Sequence, residues 1–214
     1  MVDAAYRIPG TSMAYIWSGT NYIKVNFTPG KVDSVLRDTA SIRSTWKSLN
    51  KAGFGTVDAV VPVPDTESSI YVFSGAKYLR LKLDLNTWED TLEYGEPSLI
   101  VSSWKSLKKV GFDRVDAAMV VPGSKKNIYF FRGLEWVDVS VDDTIISQGT
   151  IAESWPSLVQ AGFDTVDAIL PNNDDTYYFF SGDQFARIKM PKDEDTLVSK
   201  PESISSRNTL KHWV

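Results

Sequence analysis

The 214-residue sequence contains no cysteine. Disulfide staples, thiolate metal sites and a cysteine nucleophile are thereby excluded. It contains one histidine, His212, two residues from the end, so any site built on two imidazoles is excluded as well. No apolar run approaches the roughly 20 residues of a membrane-spanning helix. Basic charge is short: 23 Lys and Arg face 27 Asp and Glu, a net −4, the opposite of the basic footprint that a nucleic-acid-binding surface carries. The first residues, Met1-Val2-Asp3-Ala4-Ala5, have neither the basic nor the apolar segment of a signal peptide. Together with the absence of cysteine this predicts a cytoplasmic protein of the cytosol. Hydrophobic residues make up 43% and charged residues 23%, the balance of a chain that buries a core. Aromatics are plentiful, with seven tryptophans, and they need an explanation.

An internal repeat supplies it. Val-Asp-Ala occurs at 2–4, 57–59, 115–117 and 166–168. Before the last three copies stands one phrase: Trp46…Gly53-Phe54…Asp58, Trp104…Gly111-Phe112…Asp116 and Trp155…Gly162-Phe163…Asp167, each Trp 12 residues ahead of its Asp. A second phrase recurs within each unit: Tyr15-Ile16-Trp17-Ser18-Gly19, Tyr71-Val72-Phe73-Ser74-Gly75, Tyr129-Phe130-Phe131-Arg132-Gly133 and Tyr178-Phe179-Phe180-Ser181-Gly182. Three residues after each Gly comes another aromatic, Tyr22, Tyr78, Trp136 or Phe185. The distance from that Gly to the next Trp varies, at 27, 29 and 22 residues. Loops absorb such length changes and packed elements do not.

Each unit reads mostly as strand. Residues 58–63 are Val-rich, 70–73 form a second apolar run before a Ser-Gly turn, and Tyr78-Leu79-Arg80-Leu81-Lys82-Leu83 alternates with the period of a half-buried strand. A fourth, weaker strand is expected at 90–95. The period then changes: Ile42/Trp46/Leu49, Ile100/Trp104/Leu107 and Ile151/Trp155/Leu158 lie at i, i+4, i+7, one face of a short helix. Gly53, Gly111 and Gly162 stand where a left-handed cap would end it. Four strands per unit and four units predict an all-β, four-bladed β-propeller with a short helix ending each repeat. The blades are 1–56, 57–114, 115–165 and 166–214 of one domain. Five of the seven tryptophans then occupy repeat positions and read as core; Trp88 and Trp213 do not.

These residues resemble the hemopexin-like repeat. Ile-x3-Trp-x2-Leu, Phe-x2-Val-Asp-Ala and Tyr-Phe-Phe-x-Gly-x2-aromatic carry the resemblance over all four units. The fourth unit looks most like the repeats of the plant seed albumin-2 group, and small unsecreted hemopexin-like proteins of fungi and bacteria are equally compatible. Two features depart from the wider family: no disulfide can join first blade to last, and a single histidine cannot supply the haem-gripping pair of serum hemopexin.

The sharpest site candidate is the ring formed by Asp3, Asp58, Asp116 and Asp167. An inner propeller strand leaves one edge unpaired toward the axis. Four main-chain oxygens there suit a hard cation such as Ca²⁺ or Na⁺. Ala5, Val60, Ala118 and Ile169, two residues on, form a second ring whose N–H groups face an anion or waters. The resemblance implies the same ions in the same rings. The plainer reading is a water-filled channel in which the Asp side chains tie neighbouring blades. Trp88, in a variable loop, is the best candidate for an exposed ligand contact, although a Trp folded onto its own blade fits as well. Lys24, Arg80, Asp138 and Arg187, two residues beyond the second aromatic, read as a solvated outer face.

No phosphate loop, nucleophile elbow or zinc-helix motif is present, and Asp residues made equivalent by repetition do not provide the two unlike environments of acid–base catalysis. A non-enzymatic small-ligand-binding protein is the expectation. The resemblance implies polyamines such as spermine as ligands, with haem or thiamine as further candidates; an acidic channel end would attract a linear polycation. A carbohydrate- or protein-recognition module working through blade loops, or a seed storage or defence albumin, is the alternative. No apolar stripe is left uncovered by the repeat, so a monomer or weak dimer is expected. Ring closure falls to 204–214, with Trp213 and Leu210 packed on blade one.

Overall fold

The computed structural model describes residues 1–27, 33–172, 175–191 and 194–206. Blade one comprises β1 (Ala4–Arg7), β2 (Met13–Ser18), β3 (Asn21–Asn26) and β4 (Ser34–Ser41), followed by α1 (Ile42–Thr45) and α2 (Lys47–Lys51). Blade two has β5 (Ala59–Pro62), β6 (Ser69–Ser74), β7 (Lys77–Leu83), β8 (Asp90–Leu92) and β9 (Ser98–Leu99), then α3 (Ile100–Ser103) and α4 (Lys105–Lys109). Blade three has β10 (Ala117–Val120), β11 (Asn127–Arg132), β12 (Glu135–Ser140) and β13 (Ile145–Thr150), then α5 (Ile151–Ser154) and α6 (Pro156–Ala161). Blade four has β14 (Ala168–Pro171), β15 (Thr176–Ser181), β16 (Gln184–Lys189) and β17 (Thr196–Ser203), then a 3₁₀ turn at Ile204–Ser206. Each sheet is an antiparallel meander in chain order. The inner strands β1, β5, β10 and β14 touch one another in a closed circle. The protein is therefore an all-β, four-bladed propeller.

The sequence phrases map onto these elements directly. The Gly of each second phrase opens a two-residue hairpin between second and third strands, with φ of 54° to 60° at Gly19, Gly75, Gly133 and Gly182, which only glycine adopts without strain. Gly162 ends α6 in the left-handed conformation, as expected of a cap. Blade two departs from expectation in its fourth strand, which is split into β8 and β9, both paired to β7. Gly95 and Pro97 lie in the gap, and a proline cannot donate to a ladder.

The helix reading needs a larger correction. Each expected helix is two single turns interrupted at the tryptophan, which takes an extended conformation: φ −90°, ψ 90° at Trp46 and φ −103°, ψ 91° at Trp104. The i, i+4 bond survives, since Trp46 N–H still donates to Ile42 C=O at 2.9 Å. The break turns the indole into an aromatic cluster, where Trp46 meets Tyr15 edge-on with centroids 5.0 Å apart.

The core lies between blades. Ile42, Trp46 and Leu49 join the inward faces of blades one and two. Ile100, Trp104 and Leu107 do the same for blades two and three, and Ile151, Trp155 and Leu158 for three and four. The fourth seam joins Val2, Ile16 and Phe27 to Leu170, Phe180 and Ile204. Ile204 is fully buried, and its N–H donates to Asp183 C=O at 2.8 Å, as Ile42, Ile100 and Ile151 donate to Thr20, Ala76 and Leu134. It thus takes the repeat's Ile position at the closing seam. The expected packing of Leu210 and Trp213 lies outside the described residues. No helix of the described chain is long and apolar enough to cross a membrane.

Candidate functional site: the axial channel

Asp3, Asp58, Asp116 and Asp167 stand one residue before the four inner strands. Their amides all donate to the second strand of their own blade: Asp3 to Trp17 C=O, Asp58 to Phe73 and Asp116 to Phe131 at 2.9 Å, and Asp167 to Phe180 at 2.8 Å. Yet those acceptors are paired in register with the next residue, Ala4, Ala59, Ala117 and Ala168. Two inner-strand residues thus oppose one, the signature of a bulge. In an unbroken strand the N–H and C=O of one residue share an edge, so the simple alternation expected between Asp58 and Val60 does not hold at this step. Among the described residues, no hydrogen bond ends on a main-chain oxygen of the four aspartates.

Beyond the bulge the alternation resumes. Ile8, Val63, Val121 and Asn172 donate in register to Met13, Ser69, Asn127 and Thr176. Counting back by twos, the backbone groups of Ala5, Val60, Ala118 and Ile169 face away from the second strand, toward the axis. All four residues line one cavity of about 260 Å³ at the far end of the channel. The structure brings this predicted ring together.

The aspartate side chains do not bridge blades. Each accepts the amide of its own blade's hairpin glycine: Asp3 from Gly19, Asp58 from Gly75 and Asp167 from Gly182 at 2.6 Å, and Asp116 from Gly133 at 2.7 Å. Asp116 also meets Arg114 at 3.4 Å. Burial, the largest cause, raises the carboxyl pKa values of Asp58 and Asp167, and each is raised further by the charges of Asp3 and Asp116. Each of these two aspartates thus feels its two neighbours around the circle, so the four carboxylates form one focused negative ring. The described residues contain no cluster of three or more His, Asp or Glu side chains suited to a metal. Any cation here would be held by main-chain oxygens.

Of the two readings of Trp88, an exposed contact or a ring folded onto the protein, the structure favours the second. Trp88 is not an open platform but half-buried against the blade-one–blade-two core, at φ +62°, with the Lys24 ammonium 4.1 Å from its ring centroid. It lines a groove of about 380 Å³ with Tyr15, Tyr22, Arg37 and Asp90. The supposed outer face is corrected. Lys24, Arg80 and Arg187 are only partly exposed, and Asp138 is buried at 5% exposure, held by Asn127 at 3.3 Å. Lys24 turns toward blade two, over Trp88, while Arg80 pairs with Glu93 and Asp138 with Asn127 within their own blades.

Sequence reasoning missed a set of blade clasps. Asp90 accepts the Ser48 amide at 2.7 Å, Asp143 the Lys105 and Ser106 amides at 2.8 and 3.1 Å, and Asp195 the Ser157 amide at 2.8 Å. Each caps the second helical turn of the linker that ends the preceding blade. The partners are about 40 residues apart at variable spacing, so only an Asp recurring near the fourth strand could have signalled them.

Fold and channel define a class: the chain is a hemopexin-type four-bladed propeller with an axial channel. No protein-family profile matches it. It is 22% identical over 198 residues to Albumin-2 of Lathyrus sativus, covering 88% of this chain and 86% of that one. Among solved structures it resembles a 2S albumin seed protein from Dolichos, at 26% identity, 96% and 95% coverage and a TM-score of 0.86. A hemopexin-fold protein from cow pea matches at 22% identity, 99% and 95% coverage and 0.85. A Cicer arietinum protein described as a plant lectin with two metal binding sites matches at 22% identity, 100% and 95% coverage and 0.86. Albumins, one of them a seed protein, thus stand among the proteins this propeller resembles.

Proposed function

We propose that the protein is a non-enzymatic binding protein that holds a hard cation, Ca²⁺ or Na⁺, on its axis at the aspartate end and takes small ligands at the channel. The carrying observation is the fourfold set of Asp main-chain oxygens that accept no hydrogen bond among the described residues, beside a ring of mutually repelling carboxylates. Free carbonyl oxygens are strong acceptors that demand a partner, and oxygen ligands at about 2.3–2.6 Å are what calcium selects. The Cicer lectin's two metal sites favour the same reading. Anomalous diffraction from crystals grown with calcium tests it. A peak on the axis within bonding distance of the four Asp oxygens supports the reading, and an axis holding only water overturns it.

A polyamine such as spermine is the organic ligand this end would attract, because four carboxylates gather there and, among the described residues, only Asp116 forms an ion pair, with Arg114. Its binding should weaken steeply with salt. Haem is disfavoured: a cavity of about 260 Å³ lies below the roughly 300–1,000 Å³ of ordinary small-molecule sites, and His212 lies outside the described residues. A second reading, carbohydrate recognition, is favoured by the groove lined by Tyr15, Tyr22 and Trp88 together with the Cicer protein's description as a lectin. A glycan-array signal lost in Trp88→Ala would support it.

A further inference from the structure

The channel has two chemically opposite ends. The inner strands run in parallel around the axis, so a ring of residues four beyond the aspartates lies about 13 Å away at roughly 3.3 Å per residue. That ring is Arg7, Pro62, Val120 and Pro171, and all four line the 260 Å³ cavity. Three members are apolar, and blade one alone contributes a charge. The remaining wall is also largely apolar, with Met119, Pro122 and Tyr177. Among the described residues, no acidic side chain lines this cavity.

Arg7 has nothing in the described protein to neutralise it. It takes part in no salt bridge among the described residues. Its Nε donates to the Thr11 carbonyl at 3.1 Å, which fixes the guanidinium plane without cancelling its charge. Its Nη1 is buried from solvent and has no hydrogen-bond partner among the described residues. A buried, unpaired donor on a cation costs free energy unless something fills the gap. Burial alone pulls the guanidinium pKa down, yet arginine stays charged in proteins, so the charge persists and awaits an anion.

We infer that the channel mouth is a binding site for a small monocarboxylate with an apolar body, its carboxylate on Arg7 and its body against Pro62, Val120, Pro171 and Tyr177. The charge count selects the class. One guanidinium balances one carboxylate and offers it a planar fork of donors. A phosphate monoester, with nearly two charges at neutral pH, would leave charge uncompensated in an apolar ring. The cavity's size admits a body of about one ring or a short aliphatic chain. This site lies at the opposite end from the aspartate ring and has the opposite charge preference, so it stands or falls independently of the cation reading.

Calorimetric titration with sodium benzoate and sodium hexanoate, in parallel with neutral benzyl alcohol and inorganic sulfate, tests it. Amide chemical shifts of the folded protein report where binding occurs. Saturable benzoate or hexanoate binding, with shifts at Ala5, Val60, Ala118 and Ile169, is expected. So are at least tenfold weaker binding in Arg7→Ala, partial retention in Arg7→Lys, and little binding of benzyl alcohol or sulfate. Wild-type protein that binds neither carboxylate, a folded Arg7→Ala variant that binds benzoate as tightly as wild type, or shifts confined to another face would each overturn the inference. Should Arg7→Ala fail to fold, loss in the folded Arg7→Gln variant, which keeps a donor for Thr11 but no charge, gives the same reading, and undiminished binding in it overturns the site.

Discussion

The Asp58 carboxylate accepts the Gly75 amide at 2.6 Å across a separation of 17 residues, tying the start of an inner strand to the hairpin of the next two. Every blade repeats this clasp. It settles the role of the recurrent aspartate side chain, which pins its own blade, and leaves main-chain groups to face the axis.

Removing the clasp and removing its charge should therefore act in opposite directions. Asp58→Ala loses a hydrogen bond to a charged acceptor and should cost about 1.5–3 kcal/mol. Asp58→Asn keeps an oxygen for the Gly75 amide and relieves repulsion from Asp3 and Asp116. In cation-free buffer it should match or exceed wild type in urea denaturation.

The same repulsion sets a pH dependence. Asp58 and Asp167 have carboxyl pKa values raised by folding. Such groups favour the fold fully below their unfolded pKa, and that contribution is lost as pH rises through the folded one. A cation on the axis offsets the loss. Added calcium should raise the melting temperature at neutral pH, with the gain shrinking as pH falls into the acidic range. An equal calcium effect at all pH values would contradict this coupling.

Trp104 is 6% exposed and meets Phe130 edge-on at 5.3 Å. Its truncation to Ala should cost roughly 3–5 kcal/mol, the range for emptying a buried aromatic site. A loss below about 1 kcal/mol, typical of a surface change, would contradict its place in the seam.

Asp195 caps the turn that starts at Pro156 from the neighbouring blade. Asp195→Ala should cost about 0.5–2 kcal/mol, as for a lost helix cap. Amide exchange should quicken at Ser157 before it does in β10 or β14.

Ile204 closes the ring. Ile204→Ala should cost about 2–5 kcal/mol and loosen amide protection in blades one and four ahead of two and three. Uniform loosening of all four blades would show that closure does not depend on this residue.

How much of this was legible beforehand differs from residue to residue. Val-Asp-Ala, the glycine-led hairpin and the Ile-x3-Trp-x2-Leu phrase determined the number of blades, their strands and the burial of Trp46, Trp104 and Trp155. Such features are local: periodicity, turn chemistry and repetition act within a few residues, so the sequence displays them directly. The break of each linker helix at its tryptophan was not displayed, because it follows from the indole's fit among rings of two blades. The Asp90, Asp143 and Asp195 caps join segments about 40 residues apart, and no fixed spacing betrays them. The burial of Asp138 and the cover that Lys24 gives Trp88 depend on what each side chain meets once the strands and blades pack. Arg7 shows the divide best. In sequence it is one basic residue after a tyrosine. Only closure of four strands around an axis sets it against Pro62, Val120 and Pro171, where low polarity and the lack of a counter-charge among the described residues make it a site.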